Sequence, residues 1–272
     1  MRALILRELP LFSSFFFSSL GYGGMQIARP LFSASFGVSL FLVSLVTASG
    51  AIARLVVAPL AGLLSDRVGR RPMAMAGLAV RSATGVLSFW AVSYEQFLFL
   101  EFMGSVGLAV WNTGANVIIA DVTVEENRGR AVALRSISSR MGILFGPALA
   151  GIMAASFGIR SVFLLNAGGK LASLLIFLFL IKETRPHVAQ APSPARAAIP
   201  KGPEDTRLSL FLTRPFLVVA LTTLAVYTLS GGGAFEVLFP LHAREAAGLD
   251  TVQIGQMLTL MTVASLLASF PT

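Results

Sequence analysis

The chain has 272 residues, 55% of them hydrophobic and only 12% charged, whereas soluble globular chains carry about 25% charged residues; this leaves too little polar surface for a water-soluble body, and the apolar excess excludes intrinsic disorder. The absence of cysteine excludes disulfides, thiol catalysis and cysteine-based zinc sites, and His187 and His242 lie too far apart in the sequence to suggest a metal site. The formal charge of +8 would point to nucleic acid in a soluble protein; here it asks on which side of a membrane the basic residues lie.

A helix needs about 20 mostly apolar residues to cross a bilayer core. Such runs are read at residues 11–34, 38–61, 73–92, 96–120, 131–155, 161–181, 216–240 and 252–272. They are too long and too unbroken for barrel strands. Basic residues fall between the runs unevenly. With the N-terminus placed in the cytoplasm, Arg2, Arg7, Arg67, Arg70, Arg71, Arg128, Arg130, Arg135 and Arg140 lie inside, as does the basic set from Lys182 to Arg214; only Arg160 and Arg244 lie outside. That bias predicts an integral protein of the plasma (inner) membrane with a cytoplasmic N-terminus. Arg29, Arg54, Arg81 and Lys170 fall within the runs.

The stretch 182–215 holds Pro186, Pro192, Pro194, Pro200, Pro203 and Pro215 and reads as a flexible linker. It separates a six-helix bundle (residues 1–181) from the start of a second bundle (216–272). A repeat supports this division: Gly21-Tyr22-Gly23 precedes Pro30-Leu31 at the same offset at which Gly231-Gly232-Gly233 precedes Pro240-Leu241. Parallel repeats of this kind mark transporters built as two similar bundles. The chain is therefore expected to be truncated in its second bundle.

Residues 62–72 read Gly-Leu-Leu-Ser-Asp-Arg-Val-Gly-Arg-Arg-Pro. Gly62 and Gly69 allow a tight turn between two membrane helices, Pro72 suits the first turn of the next helix, and Asp66 can form an ion network with Arg67, Arg70 and Arg71. A plain positive-inside anchor explains the same charges. The segment Gly62, Leu64, Asp66, Arg67, Gly69, Arg70, Arg71 resembles the loop between helices 2 and 3 of the major facilitator superfamily. The resemblance implies an all-α membrane fold of twelve helices, eight of them present here. It also implies a charge latch at the cytoplasmic gate formed by Asp66, Arg70 and Asp121, with Glu125 to Arg130, including Arg128 and Arg130, as the next loop.

The fifth run contains Gly142, Gly146, Pro147 and Gly151. Small residues at 142, 146 and 150 share one face and let helices approach closely, and Pro147 favours a kink. The run resembles the helix-5 signature of the family's exporting antiporters, with Ala133 in place of the first glycine. Ionisable residues inside a span are candidate functional groups. Tyr22, Gln26 and Arg29 share one face of the first run; Glu101, Asn112 and Asn116 share one face of the fourth. In the family, helices 1, 4, 7 and 10 line the central cavity, so both stripes are expected cavity walls. Arg29, Glu101 and Glu236 are expected to form a charge cluster, with a static ion pair as the alternative. The family's usual acidic residue in helix 1 and arginine in helix 4 are replaced here by Gln26/Arg29 and Glu101. Arg54 is expected to snorkel inward or join the latch, and Trp90 to sit in an aromatic belt. Arg81 and Lys170 have no assigned role.

The resulting expectation is a secondary transporter of small molecules that works by alternating access and exports drug-like or metabolite compounds in exchange for protons. The alternatives are uptake of a sugar or organic anion, and a transport-inactive sensor of the same fold. Membrane lipid is the expected surrounding; no cofactor, metal, nucleic acid or ATP is expected, because no phosphate-binding Gly-x-x-x-x-Gly-Lys-Ser/Thr loop occurs. No nucleophile–base pattern suggests an enzyme.

Overall fold

Apolar segments in lipid must satisfy their backbone groups internally, and helices do so within one segment. The computed structural model describes residues 2–123, 125–181, 218 and 234–268. Its elements are all helices: α1 (Arg2–Ala34), α2 (Leu40–Val68), α3 (Arg70–Phe89), α4 (Tyr94–Val122), α5 (Glu125–Phe157), α6 (Ser161–Phe179), α7 (Ala234–Glu245) and α8 (Thr251–Ala268). The chain divides into two units, one comprising Met1–Thr184 with Glu236–Thr272 and the other Arg185–Phe235. Apart from Ala234 and Phe235 at the start of α7, all of these helices belong to the first unit. The expected linker and the first part of the expected seventh span lie outside the described residues.

Four of these helices are long and apolar enough to cross a membrane by length and composition: Leu40–Ser65, Tyr94–Val122, Asn127–Phe157 and Ser161–Phe179. Helices α1 and α3 are long enough but more polar. Their serines, threonine and arginines are turned into the bundle: Ser14, Ser18 and Ser33 on α1, and Arg81, Ser82, Thr84 and Ser88 on α3 are all buried. The opposite pattern holds on the outer faces. Phe41 and Leu55 on α2, Phe99 on α4 and Phe179 on α6 are exposed, as expected where the solvent is hydrocarbon rather than water.

Helix α2 corrects one boundary. It runs through Gly62 to Val68 instead of ending near residue 61, so Gly62 lies inside a helix and makes no turn. The turn is made by Gly69 alone, at φ 117° and ψ 152°, a backbone region that side-chain-bearing residues rarely enter. Pro72 then falls in the first turn of α3, where its missing N–H costs nothing.

The helices pack in a defined order: α1 on α5 and α6, α3 on α4 and α6, α2 on α4, and α5 on α8. Small residues set the closest approaches. A Cβ at Gly146 would lie 2.5 Å from the Leu20 carbonyl oxygen and 2.7 Å from Gly23 Cα. A Cβ at Gly77 would lie 2.5 Å from both the Gly107 carbonyl oxygen and the Trp111 nitrogen. Two apolar clusters fill the remaining space. One surrounds the edge-on rings of Phe32, Phe97 and Phe163, with Phe32 5.0 Å from each of the others. The other surrounds Phe15 and Trp111, 5.1 Å apart, nearer the arginine-rich end.

This packing makes a prediction. Gly146→Val should lower the unfolding temperature clearly, by the roughly 1–3 kcal/mol typical of overpacking. Gly168→Ala, with open space around its Cβ position, should leave it unchanged. Thermal unfolding in detergent checks the pair, and equal behaviour of the two variants would refute backbone contact between α1 and α5.

Candidate functional site

The deepest polar feature joins α1, α3 and α4. Arg29 Nε donates to Glu101 Oε2 at 2.8 Å. Arg81 grips the same carboxylate with two nitrogens, at 3.2 Å to Oε1 and 3.4 Å to Oε2. Arg81 and Glu101 are each 2% exposed and Arg29 8%. Arg81 fits here because Gly104 has no side chain; a Cβ there would collide with the guanidinium. On the other side, the Tyr22 ring lies 5.2 Å from the Arg29 guanidinium carbon, a cation–π contact. The structure thus brings Tyr22, Arg29 and Glu101 together.

Glu236 does not join this hydrogen-bonded set, and Arg81, which was not expected in it, does. Glu236 lies within the electrostatic reach of Arg29 and Arg54 and makes no hydrogen bond among the described residues. Arg54 also departs from expectation. Its guanidinium does not turn toward the arginine-rich end but lies one turn the other way, against Gly50, beside Ser105. Gln26 and Asn112 are half-buried and Asn116 is exposed.

Lys170 on α6 is 1% exposed. Its ammonium donates to the Ser18 carbonyl oxygen at 2.7 Å and to Ser18 Oγ at 2.5 Å, and lies 5.3 Å from the centre of the Trp111 ring. Sequence reasoning missed the roles of Arg81 and Lys170. The signal was present on α3, where Gly77, Arg81, Ser82, Gly85 and Ser88 share one buried face. A charge on the same helical face as packing glycines points into the bundle. Trp90, at the end of α3, is exposed.

At the arginine-rich end, Arg70 at the start of α3 pairs with Asp121 at the end of α4. The Asp66 side chain lies outside the described residues, as do those of Glu125 and Glu126. Arg67, Arg128 and Arg130 are exposed. Arg71 donates to the Phe177 carbonyl oxygen at 3.0 Å and to that of Leu178 at 2.6 Å. Those are terminal carbonyls of α6, which lack partners within their own helix and favour a cation.

The α5 glycines divide between two neighbours. Gly142 and Gly146 meet α1, while Gly151 meets Thr251 of α8 and the carbonyl oxygen of Pro147 would lie 2.5 Å from a Cβ at Gly255. Ala150 completes the α1 side, its Cβ 3.0 Å from where a Cβ at Gly24 would lie, so residues 142, 146 and 150 share one face as expected, and Pro147 and Gly151 add a second interface with α8.

The sequence pattern of the Major Facilitator Superfamily matches residues 11–272. The chain belongs to that superfamily. It is 24% identical over 255 residues to "Multidrug resistance protein 2" of Bacillus subtilis, covering 94% of this chain and 62% of that protein. It is 32% identical over 180 residues to the "Multi-drug resistance efflux pump PmrA" of Streptococcus pneumoniae, covering 66% of this chain and 42% of the pump. The chain thus spans less than two thirds of the length of these relatives. Its fold resembles that of a bacterial homologue of the human lysosomal transporter Spinster in an inward-facing, unoccupied conformation. That similarity has a TM-score of 0.76 at 17% identity and covers 97% of this chain and 60% of the other. A D-xylose–proton symporter gives a TM-score of 0.68 at 18% identity, covering 94% and 65%. The superfamily membership and the apolar helices make this an integral membrane protein.

Within this superfamily fold the triad has a clear stability consequence. Glu101→Gln removes the shared ion-pair partner of two buried guanidinium groups and should cost about 3–5 kcal/mol. Adding Arg81→Gln should recover part of that loss, since the two side chains share one interaction. Chemical or thermal unfolding of the two variants checks both statements; a Glu101→Gln protein as stable as the parent would rule out the triad.

Proposed function

We propose that this chain belongs to a secondary transporter that exports small, amphiphilic molecules from the cell in exchange for protons. Two bundles rock about a central site, in a plasma membrane, with the N-terminus in the cytoplasm. The observation that carries the reading is the buried Arg29–Glu101–Arg81 triad. Charges at membrane depth are costly and are retained where they serve a cargo or ion pathway. The relatives named for multidrug resistance and efflux support the export direction, as does the α5 glycine motif. The distribution of basic residues supports the orientation.

In this reading Tyr22, Gln26, Arg29, Glu101, Asn112, Asn116 and Glu236 line the cargo cavity. Glu236, the carboxylate without a hydrogen bond among the described residues, carries the exchanged proton. Arg70 and Asp121, with Asp66, Arg67 and Arg71 and the loop of Arg128 and Arg130, form the cytoplasmic gate. Gly142, Gly146, Pro147 and Gly151 keep α5 close to α1 and α8 while the bundles move. Such a latch acts only if its contacts exist in one end state and break in the other.

Two experiments test this. In proteoliposomes, an imposed pH gradient should drive cargo flux, and Glu236→Gln should remove the gradient dependence. Flux that ignores the gradient in the parent protein would end the proton-exchange reading. Because the chain has no cysteine, a single Asn116→Cys reports accessibility cleanly. Arg70→Gln should change its labelling rate from the two sides of the membrane several-fold; an unchanged ratio would remove the latch.

A further inference from the structure

We infer that the cavity recognises the anionic head group of an amphiphile, and that Arg29 is the recognition group while Arg81 holds Glu101 in its place. The inference rests on the reading of this chain as a transporter; it does not depend on the coupling ion.

The first observation is the charge balance at depth. Arg29, Arg54, Arg81 and Lys170 lie on α1, α2, α3 and α6, against Glu101 on α4 and Glu236 on α7. Cations outnumber carboxylates among the described residues of the interior. An uncompensated positive field in a low-dielectric interior attracts an anion and repels a cation.

The second observation is how the two arginines divide Glu101. Arg81 makes two bonds that reach both carboxylate oxygens. Arg29 makes one, through Nε. A guanidinium carries five donors in a planar fork, and the two terminal nitrogens of Arg29 make no hydrogen bond among the described residues. Those nitrogens present the paired donor geometry that carboxylate and phosphate groups accept. Arg29 is also the less enclosed of the two arginines. If Arg29 turns toward an arriving anion, Glu101 keeps both bonds to Arg81. No bare carboxylate is left behind, so the exchange avoids the main cost of breaking a buried ion pair.

The third observation is Arg54. It acts with Arg29 on Glu236, and it lies against Gly50 and Ser105 where α2 meets α4. It makes no hydrogen bond among the described residues. Three guanidinium groups thus share two carboxylates, and one guanidinium charge remains for a cargo to neutralise. The inside-negative membrane potential of a cell drives such an anion outward, in the direction proposed above.

The test compares two probes of equal chain length, octyl phosphate and octyltrimethylammonium. Each is titrated by calorimetry into the protein held in nanodiscs of zwitterionic lipid. Octyl phosphate should bind at least tenfold more tightly than the ammonium probe. Arg29→Gln and Arg54→Gln should each weaken phosphate binding at least tenfold, with Arg29→Lys keeping part of it. Glu236→Gln should tighten phosphate binding several-fold, a gain that misfolding cannot produce. Adding phosphatidylglycerol to the nanodiscs separates the sources of the anion: if it abolishes octyl phosphate binding, the site takes a lipid head group, and if it does not, a free amphiphile. Preference for the ammonium probe, or unchanged phosphate affinity in Arg29→Gln, overturns the inference while leaving the transport reading standing. Saturable binding of neither probe defeats both.

Discussion

One carboxylate organises the interior of this protein. Glu101 sits where three helices converge, and it is ion-paired to an arginine on each of the other two. Without it Arg29 and Arg81 would be cations facing one another across a medium that cannot screen them. With it they become the means by which α1 and α3 are held to α4. The arrangement also explains why α1 and α3 are the polar members of the set. A helix that turns arginine and serine inward cannot also be uniformly apolar, and its polar face is satisfied by neighbours and not by lipid. Ser33 donating to the Arg29 carbonyl oxygen at 2.7 Å and Ser88 to that of Thr84 at 2.8 Å belong to the same set of local bonds.

The triad can form only because the backbones around it come unusually close. In lipid, helices gain little from burying apolar side chains against one another, so association depends on dense packing and polar contacts. Glycine supplies the first at Gly77 and Gly107 between α3 and α4, and at Gly142 and Gly146 between α1 and α5. Gly104 supplies both, since its missing side chain is the space that the Arg81 guanidinium occupies. Close packing and charge placement are thus one design.

Much of this was legible in the sequence. Hydropathy and the length of the apolar runs led directly to a helical membrane protein, and the segment from Gly62 to Arg71 led to the superfamily. Depth placed Arg29 in one cluster with Glu101 and Glu236, without saying which carboxylate it pairs with; the structure pairs it with Glu101. Arg81 and Lys170 were not read, because periodicity within one helix says which residues share a face but not which neighbour that face meets. Glu236, matched by depth to Arg29, does lie within its electrostatic reach but takes no part in the hydrogen-bonded triad among the described residues. The reading of Gly62 as a turn failed on physics that favours continuation. The residues from Gly62 to Val68 need no positive φ to extend α2 by two turns, and only Gly69 adopts one.

The two arginines that follow that glycine show how one loop divides its work. Arg70 reaches Asp121 and ties the start of α3 to the end of α4. Arg71, its neighbour, points a different way and closes the C-terminal end of α6. Adjacent residues at the start of a helix lie about 100° apart around its axis, which lets two consecutive arginines reach two different neighbours. The side-chain contact can be exchanged for another carboxylate or for water. The helix-end carbonyls that Arg71 binds have no other donor within their own helix, and their field persists as long as α6 does. The pair therefore combines a contact suited to breaking during a conformational cycle with one suited to surviving it, and their order in the sequence is set by helical geometry.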